Sequence, residues 1–271
     1  MIDATAPGAR RASILRRIQR EGLVSLADLA SEHEVSAVTV HRDLQMLSEE
    51  GLLERVRGGA RSLPEGPAPI ETGWNARLRE AAPEKDAIAV AARELIEDGS
   101  TIFIDASATG LALARAIEVR PPASLTLVTN SPAIALGLSA ASVHVIVAPG
   151  ELDQHMRVLT GRWTIEFLAH LRFDTAFVSA AGITLDHGLT TSRSGLADTL
   201  NAAAESAERV VGLMDSTKFE RSSLMTIRSA AALDLIITDD RLNPAIVATF
   251  RAAGVNLQVV GVAEADEADA D

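Results

Sequence analysis

The chain has 271 residues, 47% of them hydrophobic, no cysteine and a formal net charge of −12. This length suits a small domain beside a larger one of about 200 residues. The lack of cysteine excludes disulfides and thiolate metal sites and fits the reducing cytoplasm; no apolar run is long enough for a signal peptide or a membrane span. The acid excess is unevenly spread: residues 1–63 hold nine Arg and no Lys against nine Asp plus Glu, so residues 64–271 carry all of it. A neutral segment with arginines gathered at Arg10, Arg11, Arg16, Arg17 and Arg20, and again between 55 and 61, offers a locally basic face to nucleic acid.

In chain order, Arg10 to Glu21 predicts a helix with Ile14, Leu15 and Ile18 on one face and Gly22 as its stop. Ser25 can cap a second helix from Leu26 to about His33, with Leu26, Leu29 and Ala30 inward. A turn through Glu34 and Val35 leads to a third helix capped by Ser36 and stopped at Gly51. In that helix Val40, Leu44 and Leu47 form the buried stripe, and Thr39, His41, Arg42 and Gln45 project away from it. Hydroxyl, imidazole, guanidinium and amide groups can reach phosphates and base edges in a major groove, so this is the helix-turn-helix plan with a recognition helix. Asp43 is repelled by phosphate and is expected to pair with a nearby arginine. Leu52–Val56 reads as a strand, 57–60 as a turn and 61–63 as the return strand, a wing signalled by Gly58 and Gly59. Arg55, Arg57 and Arg61 around it suit phosphate or minor-groove contact.

These residues resemble the N-terminal segment of the DeoR family of bacterial transcriptional regulators. The family carries Ser-x-x-Thr-Ile-Arg-Arg-Asp-Leu, then Gly-x-Leu-x-Arg and a Gly-Gly-Ala wing; here Ser36, Thr39, Val40, Arg42, Asp43, Leu44, Gly51, Arg55, Gly58, Gly59 and Ala60 match. His41 departs, standing where the family has the first of two arginines, which bears on operator sequence. The resemblance implies DNA binding by Ser36, Thr39, His41, Arg42, Gln45, Arg55, Arg57, Gly58, Gly59 and Arg61. A winged helix used only for protein contacts is the alternative.

Residues 64–82, opening with Pro64, Gly66, Pro67 and Pro69, read as a linker and connector, with Trp74 docking on one domain. Residues 83–263 then alternate helix and strand. Strands are expected at 101–105, 125–129, 143–147, 175–179, 209–214, 235–238 and 257–260. Helices are expected at 84–97, 110–117, 131–138, 164–171, 196–207 and 244–253. Continuous apolar strands in such alternation mean a parallel sheet covered on both faces, a Rossmann-like α/β domain. Ligands bind such sheets beyond the strands' carboxyl ends. The polar ends here are Asp105 to Gly110, Thr129–Ser131, Ala180–Gly182 and Asp215–Lys218. Small residues opening a helix, with a lysine at a neighbouring strand end, favour an anion. Residues 264–271 alternate alanine with acids and are expected to be a disordered tail.

This half resembles the same family's effector domain, whose fold is related to ribose-5-phosphate isomerase and whose effectors are phosphorylated sugars or related metabolites. The stretches that carry it are Glu84-Lys85, Ile104-Asp105 with Thr109, Val128 to Asn130, Asp174 with Phe177, Gly188 to Thr190, Asp215 to Phe219 and Ile237 to Asp239. By that resemblance Asp105, Ser107, Thr109, Asn130 and Lys218 line the effector site. Ser107 and Ala108 depart from the family loop Asp-x-Gly-Thr/Ser-Thr, and Leu196 and Leu200 stand where relatives carry Glu and Lys, which together point to an altered effector.

The expected function is a sequence-specific repressor of a carbohydrate-catabolic operon. It binds double-stranded operator DNA as a homo-oligomer and is released by a phosphorylated metabolite, with no catalytic residue, cofactor or metal. The alternatives are a sugar-phosphate isomerase or deaminase with a DNA-binding domain, for which Asp105, Asp186 and His187 are available, and a constitutive DNA binder whose second domain only oligomerises.

Overall fold

A computed structural model describes residues 7–21, 23–33, 35–49, 52–56, 58–61 and 73–263. Gly22, Glu34, Gly51, Arg57, the proline-rich stretch after Ser62 and the acidic tail, all singled out above, lie outside the described residues. The chain divides into two compact units, Met1–Glu80 and Ala81–Asp271.

The first unit contains α1 (Pro7–Glu21), β1 (Leu23–Ser25), α2 (Leu26–Glu32), α3 (Ala37–Glu49), β2 (Glu54–Val56), β3 (Gly59–Arg61) and α4 (Trp74–Arg79). Both expected caps form: the Asp28 amide donates to Ser25 Oγ at 3.1 Å, and the Thr39 amide to Ser36 Oγ at 3.1 Å. Ile14, Ile18, Val24, Leu29, Val40, Leu44, Leu47 and Leu53 make the core with Ala60. Asp43 finds its arginine: Arg10 Nε donates to Asp43 Oδ2 at 2.7 Å, both side chains buried. The segment expected as a connector contains α4, where the Arg77 guanidinium lies 5.3 Å from the centre of the Trp74 ring.

The wing is tighter than the sequence suggested. Val56 pairs with Gly59 and Arg55 with Ala60, so residues 59 and 60, expected in the turn, belong to the return strand. The sheet also has a third strand that was not expected, in the order β1-β3-β2. It explains the second glycine. Gly58 has φ +87°, the left-handed turn position, whereas a Cβ on Gly59 would lie 2.2 Å from the Val24 carbonyl oxygen on β1. Gly59→Ala is therefore expected to unseat β3 from β1. Gly58→Ala should cost only about 1–2 kcal/mol of left-handed strain. Urea melts of the first unit would separate them, with Gly59→Ala the more damaging.

The second unit is built on seven parallel strands: β4 (Thr101–Ile104), β5 (Leu125–Thr129), β6 (Val143–Val147), β9 (Phe173–Val178), β12 (Ala207–Leu213), β14 (Leu235–Asp239) and β15 (Leu257–Val260). All seven expected strands are present. Their order is β15-β14-β12-β9-β4-β5-β6. The helices are α5 (Ala82–Arg93), α6 (Ala108–Val119), α7 (Pro132–Gly137), α8 (Arg162–Ala169), α9 (Ser194–Glu205) and α10 (Pro244–Ala252). Helix α5 ends four residues short of the expectation, at Arg93, whose guanidinium turns back to the Ile96 carbonyl oxygen. Two small antiparallel additions were not expected: a hairpin of β7 (Glu151–Asp153) and β8 (Val158–Thr160), and a sheet of β10 (Gly182–Thr184), β11 (Gly188–Thr191) and β13 (Met225–Arg228), ordered β10-β11-β13. Phe103 and Phe173 on the sheet's inner strands pack with ring centres 5.7 Å apart. Among the described residues no helix is long and apolar enough to cross a membrane.

Strands β4, β5 and β6 run outward in one direction, and the chain then returns to place β9 on the other side of β4. The switch point of this sheet therefore lies between β4 and β9. Crevices for ligands open at the carboxyl ends of such a pair.

Candidate functional sites: a DNA-reading face and a sheet-edge pocket

Helix α3 is held by its buried stripe and by the Arg10–Asp43 pair, which leaves the opposite side to solvent. Ser36, His41, Arg42 and Gln45 are exposed there and Thr39 is half-buried. Ser36 and Thr39 are spent largely on local structure, their hydroxyls 2.9 Å apart at the helix start. His41 Nε2 lies 2.6 Å from Arg55 Nη2. Guanidinium can only donate, so this bond has a neutral imidazole accepting at Nε2. It ties the first wing strand to the recognition helix. Arg61 is engaged by Glu54 on the same hairpin at 2.7 Å, both half-exposed, a pairing that phosphate can displace at little cost. Arg57 lies outside the described residues. Val38, 79% exposed on the reading face, was missed in the sequence, where it passes as one more apolar helix residue.

In the second unit the expected effector residues occupy the carboxyl edge, but several of them brace it. Asp105 is 3% exposed. Its Oδ1 accepts from the Ser107 hydroxyl at 2.6 Å and the Ser107 amide at 3.3 Å, and its Oδ2 accepts from the Ser179 amide at 3.0 Å. The last bond crosses the switch point from β4 to the end of β9. Ser107 in turn caps α6, accepting from the Gly110 amide at 2.8 Å. Asn130 Oδ1 accepts from the Ala106 amide at 3.1 Å while its Nδ2 donates to the Leu159 carbonyl oxygen at 3.2 Å, joining the loop to the β7–β8 hairpin. Thr109 is buried at the start of α6. Asp105, Ser107 and Asn130 thus all brace the loop that leads from β4 into α6.

Lys218 ends a short 3-10 turn, Ser216–Lys218, after β12. Strand β9 lies between β12 and β4, so that turn follows a strand two spacings, about 10 Å, from that of Asp105. Beside it Asp215 Oδ2 and Thr238 Oγ1 are buried with no hydrogen-bond partner among the described residues. Glu84 pairs with Arg241, which brings the first turn of α5 to the carboxyl end of β14, and the next residue, Lys85, is 4% exposed. Lys85 was read only as part of a helix start; its one signal in the sequence is that the chain has two lysines in all, Lys85 and Lys218.

A cavity of about 350 Å³ opens between the β7–β8 hairpin and the start of α9, lined among others by Asp153, Thr160, Ser192, Arg193 and Ser194. Arg193 Nη1 holds Asp153 Oδ2 at 2.9 Å. None of the five residues expected from the sequence lines this cavity; Asn130 reaches its wall through Leu159, a neighbour of Val158 and Thr160.

A winged helix joined to an α/β domain with a polar carboxyl edge is the architecture of a ligand-responsive DNA-binding regulator. The comparisons agree: residues 10–65 match the model of the DeoR-like helix-turn-helix domain and residues 80–240 that of the DeoR C-terminal sensor domain. Among curated proteins, the chain is 30% identical to the HTH-type transcriptional regulator GolR of Listeria innocua, over 93% of this chain and 98% of that protein. It is 31% identical to the glycerol-3-phosphate regulon repressor of Escherichia coli K12, over 85% and 90%. It is 30% identical to the HTH-type transcriptional repressor GlcR of Bacillus subtilis, over 89% and 96%. Among solved structures it aligns with ribose 5-phosphate isomerase A of Methanocaldococcus jannaschii at a TM-score of 0.38 and 16% identity, over 52% of this chain and 55% of that one. The chain belongs to the DeoR family of transcriptional regulators.

Proposed function

We propose that this regulator is a cytoplasmic repressor of a carbohydrate-catabolic operon, released from its operator by a phosphorylated sugar or a related metabolite. Residues 1–63 are the DNA reader, residues 64–82 connect, and residues 83–263 sense the effector. The observation that carries the reading is the carboxyl edge of the parallel sheet, along which cationic residues and a buried acceptor without a hydrogen-bond partner among the described residues are placed. Lys85, Lys218 and Arg193 supply positive charge, and Asp215 Oδ2 is a buried acceptor suited to a sugar hydroxyl. A cavity of about 350 Å³ is of the size that small metabolites fill. Both oxygens of Asp105 are engaged in bracing the loop, which leaves it poorly placed as a general base and favours sensing over catalysis.

Release requires the effector to favour one arrangement of paired readers over another, so the working form is a homo-oligomer. An apolar groove between α5 and α6, flanked by the exposed Val90 and Val119, supports that assembly. The two helices run side by side in the same direction. At the end where Arg93 and Arg120 lie, Arg120 is already paired with Glu94, so what the groove offers a second copy is mainly its apolar lining of Ala89, Val90, Ala112, Ala116 and Val119. Val90→Glu is expected to shift the sedimentation coefficient towards the monomer; an unchanged value would exclude this face.

The effector reading is tested by thermal shift with sugar phosphates, sugar-alcohol phosphates and their unphosphorylated parents, on the wild type and on Lys218→Ala. At a hundredfold excess over Kd a ligand adds about 2.7 kcal/mol of stability. A shift with one phosphorylated compound, lost in Lys218→Ala, is the expected result. No shift with any phosphate would favour a constitutive DNA binder, and turnover of the bound compound would favour an enzyme.

A further inference from the structure

The solvent face of α3 presents Val38 together with three polar readers. His41, Arg42 and Gln45 stand three, four and seven residues beyond it, so all four lie on one side of the helix, and all are exposed. Val38 is 79% exposed, while Val40, on the opposite side, is fully buried. A lone exposed valine is common on protein surfaces and carries nothing by itself. Its position is what distinguishes Val38. It is the second residue of the recognition helix, and such helices meet base edges with their amino-terminal residues.

Folding gives no reason for valine at this place. The side chain is outside the core of the winged helix, and a β-branched residue is a poorer helix former than alanine. Against DNA the same features become useful. The major groove displays one apolar group, the 5-methyl of thymine. In a helix valine keeps almost entirely to one χ1 rotamer, so its two methyl groups are already fixed in direction. The first turn that carries it is itself fixed, by the Ser36 cap on the Thr39 amide and by Val40 beneath.

We propose that Val38 reads the 5-methyl group of a thymine in the major groove of each operator half-site, next to the bases met by His41, Arg42 and Gln45. This rests on the DNA-binding role of the winged helix and goes beyond it, by assigning one residue to one atom group of one base.

The test uses the full chain and a duplex that it enriches from a randomised DNA pool. Each thymine of the enriched site is replaced singly by deoxyuridine, which removes the methyl and nothing else. Burying one methyl is worth about a fourfold change in affinity. One thymine per half-site is expected to show that loss with the wild type. Val38→Ala should bind the parent duplex about fourfold more weakly, be indifferent to deoxyuridine at that thymine, and keep its response at every other position. Val38→Ile should retain the preference. Because Val38 is exposed, the variants are expected to melt like the wild type, so a weakened complex will not be an unfolded one. The assignment falls if no thymine is sensitive, or if wild type and Val38→Ala lose the same affinity at the same thymine. If no duplex is enriched at all, the DNA-binding reading falls and takes the assignment with it.

Discussion

Asp43→Ala is expected to unfold the winged helix while leaving the α/β unit intact. Asp43 is 4% exposed and Arg10 is 7% exposed, and the guanidinium meets the carboxylate through Nε at 2.7 Å. Removing the acid takes from a buried cation the carboxylate that Nε meets, and breaking a buried pair in this way costs about 3–5 kcal/mol. A unit of this size holds on the order of 3–9 kcal/mol in total, so the loss takes most of its stability. A two-transition urea melt should lose its first transition, and operator binding should go with it although Asp43 touches no DNA. The pair itself need not be net stabilising, because both charges were desolvated to form it. Hence Arg10→Met with Asp43→Leu, which fills the space without charge, should restore most of the first transition. If Asp43→Ala melts like the wild type, the pair is not buried in solution and the account of how α1 holds α3 is wrong.

The same contrast between local and distant causes decides what could be read in the sequence. The seven sheet strands were legible because each is a short, largely apolar run, and no partner is needed to see that; the central ones are buried on both faces, while β6 and β15 at the edges are only partly buried. The caps at Ser25 and Ser36 were legible because the bond that makes them spans three residues. Strand β1 was not, since Leu23–Ser25 has no period of its own and exists by pairing with β3, more than thirty residues on. That distant pairing also sets the wing's turn, because the need for Gly59 comes from the Val24 carbonyl oxygen. The β7–β8 hairpin and the β10-β11-β13 sheet failed for the same reason: strands of three or four residues, several rich in threonine, carry almost no pattern. At the sheet edge, position was legible and role was not. Asp105 and Asn130 were found as polar strand ends, but whether a carboxylate faces a ligand or a backbone amide is fixed by Ser179 and Ala106. Arg193 was missed because what makes it notable, the cavity and Asp153, comes from a hairpin forty residues earlier.

The bracing role of Asp105 makes a sharper prediction than a ligand-contact role would. Its two oxygens accept from three donors, the Ser107 amide and hydroxyl and the Ser179 amide. Asp105→Ala leaves these without their acceptor at a site where water does not reach freely, for a loss of about 3 kcal/mol in the α/β unit. It also takes from the Ser107 hydroxyl, the cap of α6, the acceptor that orients it. Asp105→Asn distinguishes the two roles. An amide in place of the carboxylate must set its Nδ2 donor against a backbone N–H, that of Ser107 or that of Ser179, whichever way it is turned, so it cannot serve the braces on both sides of the switch point. If Asp105 braces β4 against β9, Asp105→Asn is destabilised in the absence of any ligand, and its second urea transition moves towards that of Asp105→Ala. If instead Asp105 only greets an effector, Asp105→Asn melts like the wild type and loses nothing but the ligand-induced shift. The close seat of Gly110 favours the first outcome: a Cβ there would stand 2.5 Å from the Asp105 carbonyl oxygen and 2.9 Å from its Oδ1, so loop and helix are already in contact without a ligand between them.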